Sequence, residues 1–93
     1  MSNLRTYKSQ SILKSGLQIR GARAVLNWSA QELANATSLA SKTINRLEVK
    51  EDLHDSSVRT LSAIQRAFEL AGVEFIEAED GAPGIIVRTA PSR

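Results

Sequence analysis

The feature that most constrains this chain is a run of short helical patterns with very little sequence between them. Ser15 is followed three residues later by Gln18, which is the spacing of a capping box at a helix N-terminus. The same spacing recurs at Ser29 and Glu32. Apolar side chains after each box return every three or four residues, as on one face of an α-helix. These signals predict a bundle of short helices.

Four helices are expected from the caps and the apolar spacing. They are predicted at about 16–26, from the cap at Ser29 to about 36 or 37, at about 41–48, and at about 58–71 with Gly72 as a C-terminal cap. Residues 38–40 are too few for anything but a turn. Trp28, between the first two helices, is predicted to lie in the core.

The sequence after Gly72 changes character. Residues 73–78 and 85–89 are rich in β-branched and aromatic side chains, and 79–84 between them is a dense turn signal. This pattern predicts a two-stranded β-hairpin at 73–89, followed by a tail at 90–93. Residues 1–14 are polar without a period, so they are expected to form a flexible N-terminal arm. The helical domain is therefore 15–72.

Composition excludes several classes of protein. A chain of 93 residues with 42% hydrophobic and 24% charged side chains is long enough for one core, and it lacks the ~20-residue apolar run of a membrane span. There is no cysteine and only one histidine, His54, so the usual ligands for zinc and the usual nucleophiles of thiol chemistry are missing. We expect a cytoplasmic protein that is not an enzyme, with no catalytic residue, cofactor, metal or membrane contact.

The charge is unevenly divided along the chain. Residues 1–50 contain eight basic and two acidic side chains, whereas residues 51–93 contain four basic and eight acidic ones. Such polarity suggests that the first half faces a polyanion. Uneven placement of solvated charges is the alternative interpretation.

Two short helices joined by a three-residue turn form a helix-turn-helix. Within it, Ser-x-x-Glu-Leu-Ala begins at Ser29 and Ile-x-x-Leu-Glu ends at Glu48. At these motifs the chain resembles the phage-repressor, Cro-like family of transcriptional regulators, also called XRE, over about residues 16–72. The resemblance implies a mainly α fold, a lambda-repressor-like bundle of four helices with a central helix-turn-helix, here followed by the hairpin.

The resemblance also implies which residues meet DNA. In that family the third helix enters the major groove, and the residues at its base-contacting positions are Ser41, Lys42, Thr43, Asn45 and Arg46. Candidates for phosphate contacts are Arg20, Arg23, Ser29, Gln31 and Lys50, together with Arg5, Lys8 and Lys14 of the arm. Arg23 and Glu48 occupy positions that form an ion pair in several phage repressors; the alternative is an Arg23 that binds phosphate freely.

Two positions at the turn before the third helix depart from the family pattern. Ser38 stands where the turn usually has glycine, a position at which positive φ is common. Ala40 stands where the third helix usually has a Ser or Thr cap, so Ser38 or Ser41 must cap the helix instead, or its first turn frays.

An operator is usually read by two copies of such a domain, so we expect a homodimer on double-stranded DNA. The apolar hairpin is the predicted dimerisation element, with Phe75, Ile76, Ile85 and Val87 as its contact residues; the alternative is a hairpin that only covers its own domain. The leading hypothesis is a sequence-specific regulator, most simply a repressor on a palindromic operator. The alternatives are a DNA-binding antitoxin with a toxin partner, and a protein-interaction adapter that does not bind DNA.

Overall fold

The structure, a computed structural model, describes residues 7–8 and 13–88. Its elements in chain order are β1 (Tyr7–Lys8), α1 (Gly16–Leu26), α2 (Ala30–Thr37), α3 (Ser41–Glu48), α4 (Val58–Leu70), β2 (Val73–Ala78) and β3 (Pro83–Val87). Within these ranges, four helices followed by an antiparallel hairpin confirm the predicted mainly helical layout. The fourth helix ends one residue earlier than predicted, and the last strand begins two residues earlier.

Both predicted capping boxes are present. The Ser15 hydroxyl accepts a hydrogen bond from the Leu17 N–H (3.1 Å), and the Gln18 side chain accepts one from the Ser15 N–H (3.1 Å). At α2 the Ser29 hydroxyl accepts from the Glu32 N–H (3.0 Å), and the Glu32 carboxylate accepts from the Ser29 N–H (2.7 Å). Each box satisfies backbone groups that the helix itself leaves unpaired, which fixes where α1 and α2 begin.

The core lies where α4 meets the other helices and the hairpin. Its buried apolar side chains are Leu13, Ile19, Ala22, Leu33, Ala34, Ile44, Leu47, Leu53, Ile64, Phe68, Val73 and Phe75. Trp28 stacks on Phe68 with ring centroids 5.5 Å apart, and Phe75 meets Phe68 edge-on at 5.6 Å. The prediction that Trp28 is a core residue is confirmed.

One of the predicted dimer contacts in the hairpin is wrong. Phe75 was predicted to contact a second copy, but its side chain is fully buried inside its own domain. Side chains alternate between the two faces of a strand, so Phe75 lies on the same face as Val73, and α4 packs against β2. Of the four predicted dimerisation residues, Ile76 and Ile85 are half-buried and Val87 is exposed.

The predicted arm is also corrected in part. Tyr7–Lys8 pairs antiparallel with β2, giving the sheet order β1-β2-β3 among the described strands. Leu13 is buried, and the Lys14 ammonium donates to the Glu77 carboxylate (2.7 Å) and to the Gly81 carbonyl (2.6 Å). These contacts hold the segment against the hairpin. The rest of the predicted arm, 1–6 and 9–12, and the predicted tail at 90–93 lie outside the described residues.

Gln18 joins α1 to the sheet from a buried position. Its side-chain amide donates to the carbonyls of Gly84 (2.9 Å) and Ile76 (3.2 Å), while its oxygen accepts from the backbone of Lys14 and Ser15. The helices and the hairpin therefore form one unit. In the ranges that the structure describes, the longest helix has 13 residues, and no helix is long and apolar enough to cross a bilayer.

Candidate nucleic-acid interface

The turn between α2 and α3 is tight and left-handed at one residue. Ser38 has φ 63° and ψ 26°, which is the positive φ expected at this position. The Leu39 N–H donates back to the Ala34 carbonyl (3.1 Å), and the turn spans the predicted three residues between α2 and α3. α3 then packs against both α2 and α1.

α3 divides sharply into a buried and an exposed face. Ile44 and Leu47 are fully buried and Glu48 is buried at the end of the helix, so the other five side chains lie on the outward side. Lys42, Asn45 and Arg46 are exposed, and the other two predicted base-contacting residues, Ser41 and Thr43, are half-buried. All five are thus at least partly accessible.

The three exposed side chains of α3 have no partner elsewhere in the part of the chain that the structure describes. Lys42 and Arg46 form no ion pair there, and Asn45 forms no side-chain hydrogen bond there. Their donors and acceptors are therefore free to bind an external ligand. Two cations and one amide on a single helix face suit a ligand with both negative charge and hydrogen-bonding edges.

The predicted phosphate-contacting residues differ in their exposure and in how far their polar groups are already bonded within the chain. Arg20 is exposed on α1. It lies four residues after Gly16 and three before Arg23, so it is on the same side of the helix as both. Gly16 and Arg23 each bond to the chain at the end of α3. Ser29 and Gln31 are exposed at the start of α2; the Ser29 hydroxyl caps the helix, and the Gln31 amide donates to Asn35 (3.0 Å). Lys50 is half-buried and pairs with Asp55 at 2.9 Å. All four side chains are thus at least partly exposed.

One predicted phosphate-contacting residue has partners in the hairpin. Lys14 was expected to reach phosphates from a free arm, but its ammonium is held at the hairpin by Glu77 and Gly81. A carboxylate at 2.7 Å neutralises that charge locally. Arg5 lies outside the described residues, and only the backbone of Lys8 is described, so neither side chain is placed.

Arg23 and Glu48 form the ion pair that the family resemblance implied. Arg23 donates from Nε to Glu48 Oε2 (2.6 Å) and from Nη2 to Oε1 (2.8 Å), and its Nη1 donates to the Trp28 carbonyl (2.9 Å). The Glu48 hydrogen bonds raise the pKa of Arg23, against a smaller opposing effect of burial. Because three of the five guanidinium N–H groups are used, the side chain fixes the end of α3 against α1.

The ion pair leads to a stability prediction. Arg23→Ala is expected to lower the free energy of unfolding by about 3 kcal/mol, because it leaves the Glu48 carboxylate buried without a partner. Glu48→Ala should cost less, about 2 kcal/mol, since the Arg23 side chain keeps 22% of its surface exposed. Urea unfolding of both variants and of the double variant measures the coupling, expected at about 1–2 kcal/mol.

The matched control is Arg88→Ala. Arg88 forms an exposed two-pronged pair with Glu74 at 3.2 and 3.3 Å, so its loss should cost under about 1 kcal/mol. If the effects of Arg23→Ala and Glu48→Ala on the free energy of unfolding simply added in the double variant, the ion pair would not hold α3 against α1.

The N-terminus of α3 has no side-chain cap. Its N-cap residue, Ala40, has no hydroxyl, and the structure shows no side-chain hydrogen bond there from Ser38 or Ser41. The capping by Ser38 or Ser41 that the sequence allowed is therefore not seen. Regular backbone bonds from Thr43 and Ile44 to the Ala40 carbonyl still begin the helix at 3.0 and 3.2 Å.

Because the N-cap of α3 has no side-chain hydrogen bond, we expect Ala40→Ser to stabilise the protein. A serine hydroxyl at an N-cap accepts an unpaired backbone N–H, and the expected gain is about 1 kcal/mol, measured as a higher midpoint of thermal unfolding. Ala36→Ser, on the exposed side of α2, is the control and should cost about 0.5 kcal/mol because serine is a weaker helix former. Equal shifts of the same sign would show that α3 is capped already.

The loop after α3 carries acidic residues and the single histidine. His54 and Asp52 are both exposed; the Asp52 carboxylate accepts from the His54 N–H at 2.8 Å, and this bond and one to the His54 ring hold the pKa of Asp52 below its usual range. Lys50 lowers the pKa of Asp55 in the same way. Across the described ranges no three His, Cys, Asp or Glu side chains are grouped as a metal site.

No protein-family model matches the chain, and no curated protein matches it significantly.

Proposed function

We propose that this protein is a sequence-specific DNA-binding regulator, a repressor of the XRE type built on a lambda-repressor-like bundle. The observation that carries the proposal is the outward face of α3. Lys42, Asn45 and Arg46 project from a short helix whose opposite face is locked into the core. A rigid helix with unpartnered polar side chains is what reading a groove requires.

The chemistry of these side chains matches base edges in the major groove. That groove is about 12 Å wide and admits one α-helix. Lys42 and Arg46 suit the O6 and N7 acceptors of guanine, and Asn45 suits the donor and acceptor of adenine. Ser41 and Thr43, near the start of the helix, supply hydroxyls for bases or adjacent phosphates.

Residues around α3 are suited to hold the duplex without reading its sequence. Arg20 on α1 and Ser29 and Gln31 at the start of α2 lie on the two helices that pack against α3, and Lys50 follows its last residue. The N-terminus of α2 adds the positive end of a helix dipole. Arg23 retains two N–H groups beyond its bonds to Glu48 and Trp28 for a phosphate at the same edge.

One copy of α3 covers only a few base pairs, so the proposed active form is a homodimer. Two-fold symmetry in the protein then matches a palindromic operator, with half-sites about 34 Å apart on one face of the duplex.

Selection of bound sequences from a random duplex pool tests the proposal. The expected result is a palindromic consensus, with an affinity that falls steeply as salt is raised because cations on the protein release counterions from phosphates. Absence of binding even at low salt would refute DNA recognition and favour the protein-adapter hypothesis. A salt-dependent affinity without any consensus would refute specific recognition by α3.

A further inference from the structure

Lys50 belongs to the proposed phosphate-contacting set, yet its charge is already paired within the chain. Its ammonium donates to the Asp55 carboxylate at 2.9 Å. The side chains of Lys50 and Asp55 keep 31% and 63% of their surfaces exposed. The pair therefore lies at the protein surface, where a phosphate and the Asp55 carboxylate are rival anions for one ammonium.

The backbone around this ion pair is fixed by contacts with buried parts of the domain. The Lys50 N–H donates to the Leu47 carbonyl at the end of α3 (3.1 Å), and the Lys50 carbonyl accepts from the Gly16 N–H (2.8 Å). Leu53, in the middle of the loop, is fully buried, and its N–H donates to the Lys14 carbonyl (2.9 Å). Because this leucine anchors the loop between the two partners, the acid is held within reach of the ammonium.

The loop that carries the pair has an excess of negative charge. Residues 50–55 contain one cation, Lys50, and three acids, Glu51, Asp52 and Asp55. All three acidic side chains are exposed. The loop directly after α3 therefore repels phosphates as a whole, although it contains a lysine.

We infer that Asp55 limits the affinity of this protein for DNA by holding the Lys50 ammonium against the loop and away from the phosphate backbone. The inference rests on the proposed function, because it concerns the strength of the same interface. Phosphates carry no sequence information, so the limit applies equally to an operator and to an unrelated duplex. A weaker hold on unrelated DNA leaves more copies of a regulator free to occupy the operator.

The test measures binding of the full chain to the selected operator and to a scrambled duplex, by fluorescence anisotropy at several salt concentrations. Asp55→Asn should raise both affinities about 3- to 10-fold, because the freed ammonium gains a phosphate. The slope of log affinity against log salt should become more negative by about 0.9, the value for one additional phosphate. The unfolding midpoint should stay where it is, since an exposed ion pair contributes little to folding.

Glu69→Gln is the matched control for the loss of one negative charge. Glu69 is exposed near the C-terminal end of α4, about 16 Å along the helix from the end that follows the loop. That distance exceeds the Debye length, which is about 8–10 Å at physiological salt. Its substitution should leave both affinities unchanged within about twofold.

Lys50→Ala shows whether Asp55 acts through Lys50. In that background Asp55→Asn has no ammonium to release, so its gain in affinity should fall below about twofold. NMR titration without DNA checks the pair itself. The hydrogen bond from Lys50 holds the pKa of Asp55 below its usual range, so that pKa should rise in Lys50→Ala.

Three results would overturn the inference. The first is an unchanged affinity in Asp55→Asn, and the second is an equal gain with and without Lys50, which would make Asp55 a free charge. The third is an Asp55 pKa that does not respond to Lys50→Ala, which would show that the pair does not form in solution. If neither the wild type nor Asp55→Asn binds any duplex at low salt, the proposed function fails and this inference fails with it. Binding by the wild type without a gain in Asp55→Asn refutes the inference alone.

Discussion

Replacing both Lys42 and Arg46 with alanine is expected to lower the affinity for the selected operator by about 10²- to 10⁴-fold. Each good contact to a base edge contributes about 1–3 kcal/mol of discrimination, and neither side chain has a partner among the described residues that would compensate. Fluorescence anisotropy with the consensus duplex and with a scrambled duplex measures the change. The unfolding midpoint should stay where it is, because both side chains are exposed.

The pattern of loss separates base recognition from phosphate binding. Each single substitution should relax the consensus at defined positions within each half-site. Arg66→Ala, on an exposed position of α4, is the matched control and should leave the affinity unchanged. A uniform weakening on both duplexes, with a shallower salt dependence, would assign Lys42 and Arg46 to phosphates and would contradict their role in reading sequence.

Gly16→Ala is expected to lower the free energy of unfolding by about 3 kcal/mol or more. A Cβ atom at Gly16 would lie 2.7 Å from the carbonyl oxygens of both Glu48 and Lys50 and would also collide with the Leu47 carbonyl. These are backbone atoms, so α1 must move away from the end of α3. That movement breaks the 2.8 Å bond from the Gly16 N–H to Lys50.

The same substitution five residues later in α1 is the control. At Gly21 an added Cβ would meet only the Ile85 side chain, at 3.8 Å, so Gly21→Ala should stabilise the helix by about 1 kcal/mol. Urea unfolding at one protein concentration compares the two variants. If both raise stability, the close approach of α1 and α3 is not a constraint in solution.

Much of the helical part followed from local signals. The caps at Ser15 and Ser29 and the apolar spacing placed α1, α2 and α3 correctly, because capping and periodicity act within one or two turns of chain. The positive φ of Ser38 was likewise expected from its place in the turn. For α3, the burial of Ile44 and Leu47 left one outward face, so its exposed side chains were also predictable.

The contacts of the hairpin could not be predicted from local sequence signals. Sequence predicted two strands, but Phe75 was assigned to a dimer contact because strand propensity does not say which face another element covers. α4 decided that, by packing on the face that carries Val73 and Phe75. The Lys14 contact with Glu77 joins residues 63 positions apart, and no periodicity or spacing rule links such a pair.

The sequence by itself determined the four helices, the hairpin strands and the polar face of α3, since these depend on interactions between residues a few positions apart. Tertiary structure alone decided the close approach at Gly16, the hydrogen bonds of Gln18 to the hairpin and the pairing of Tyr7–Lys8 with β2. Each of these depends on segments that meet only after the chain has folded, because their geometry is set by the packing of α1 and α4 against the sheet.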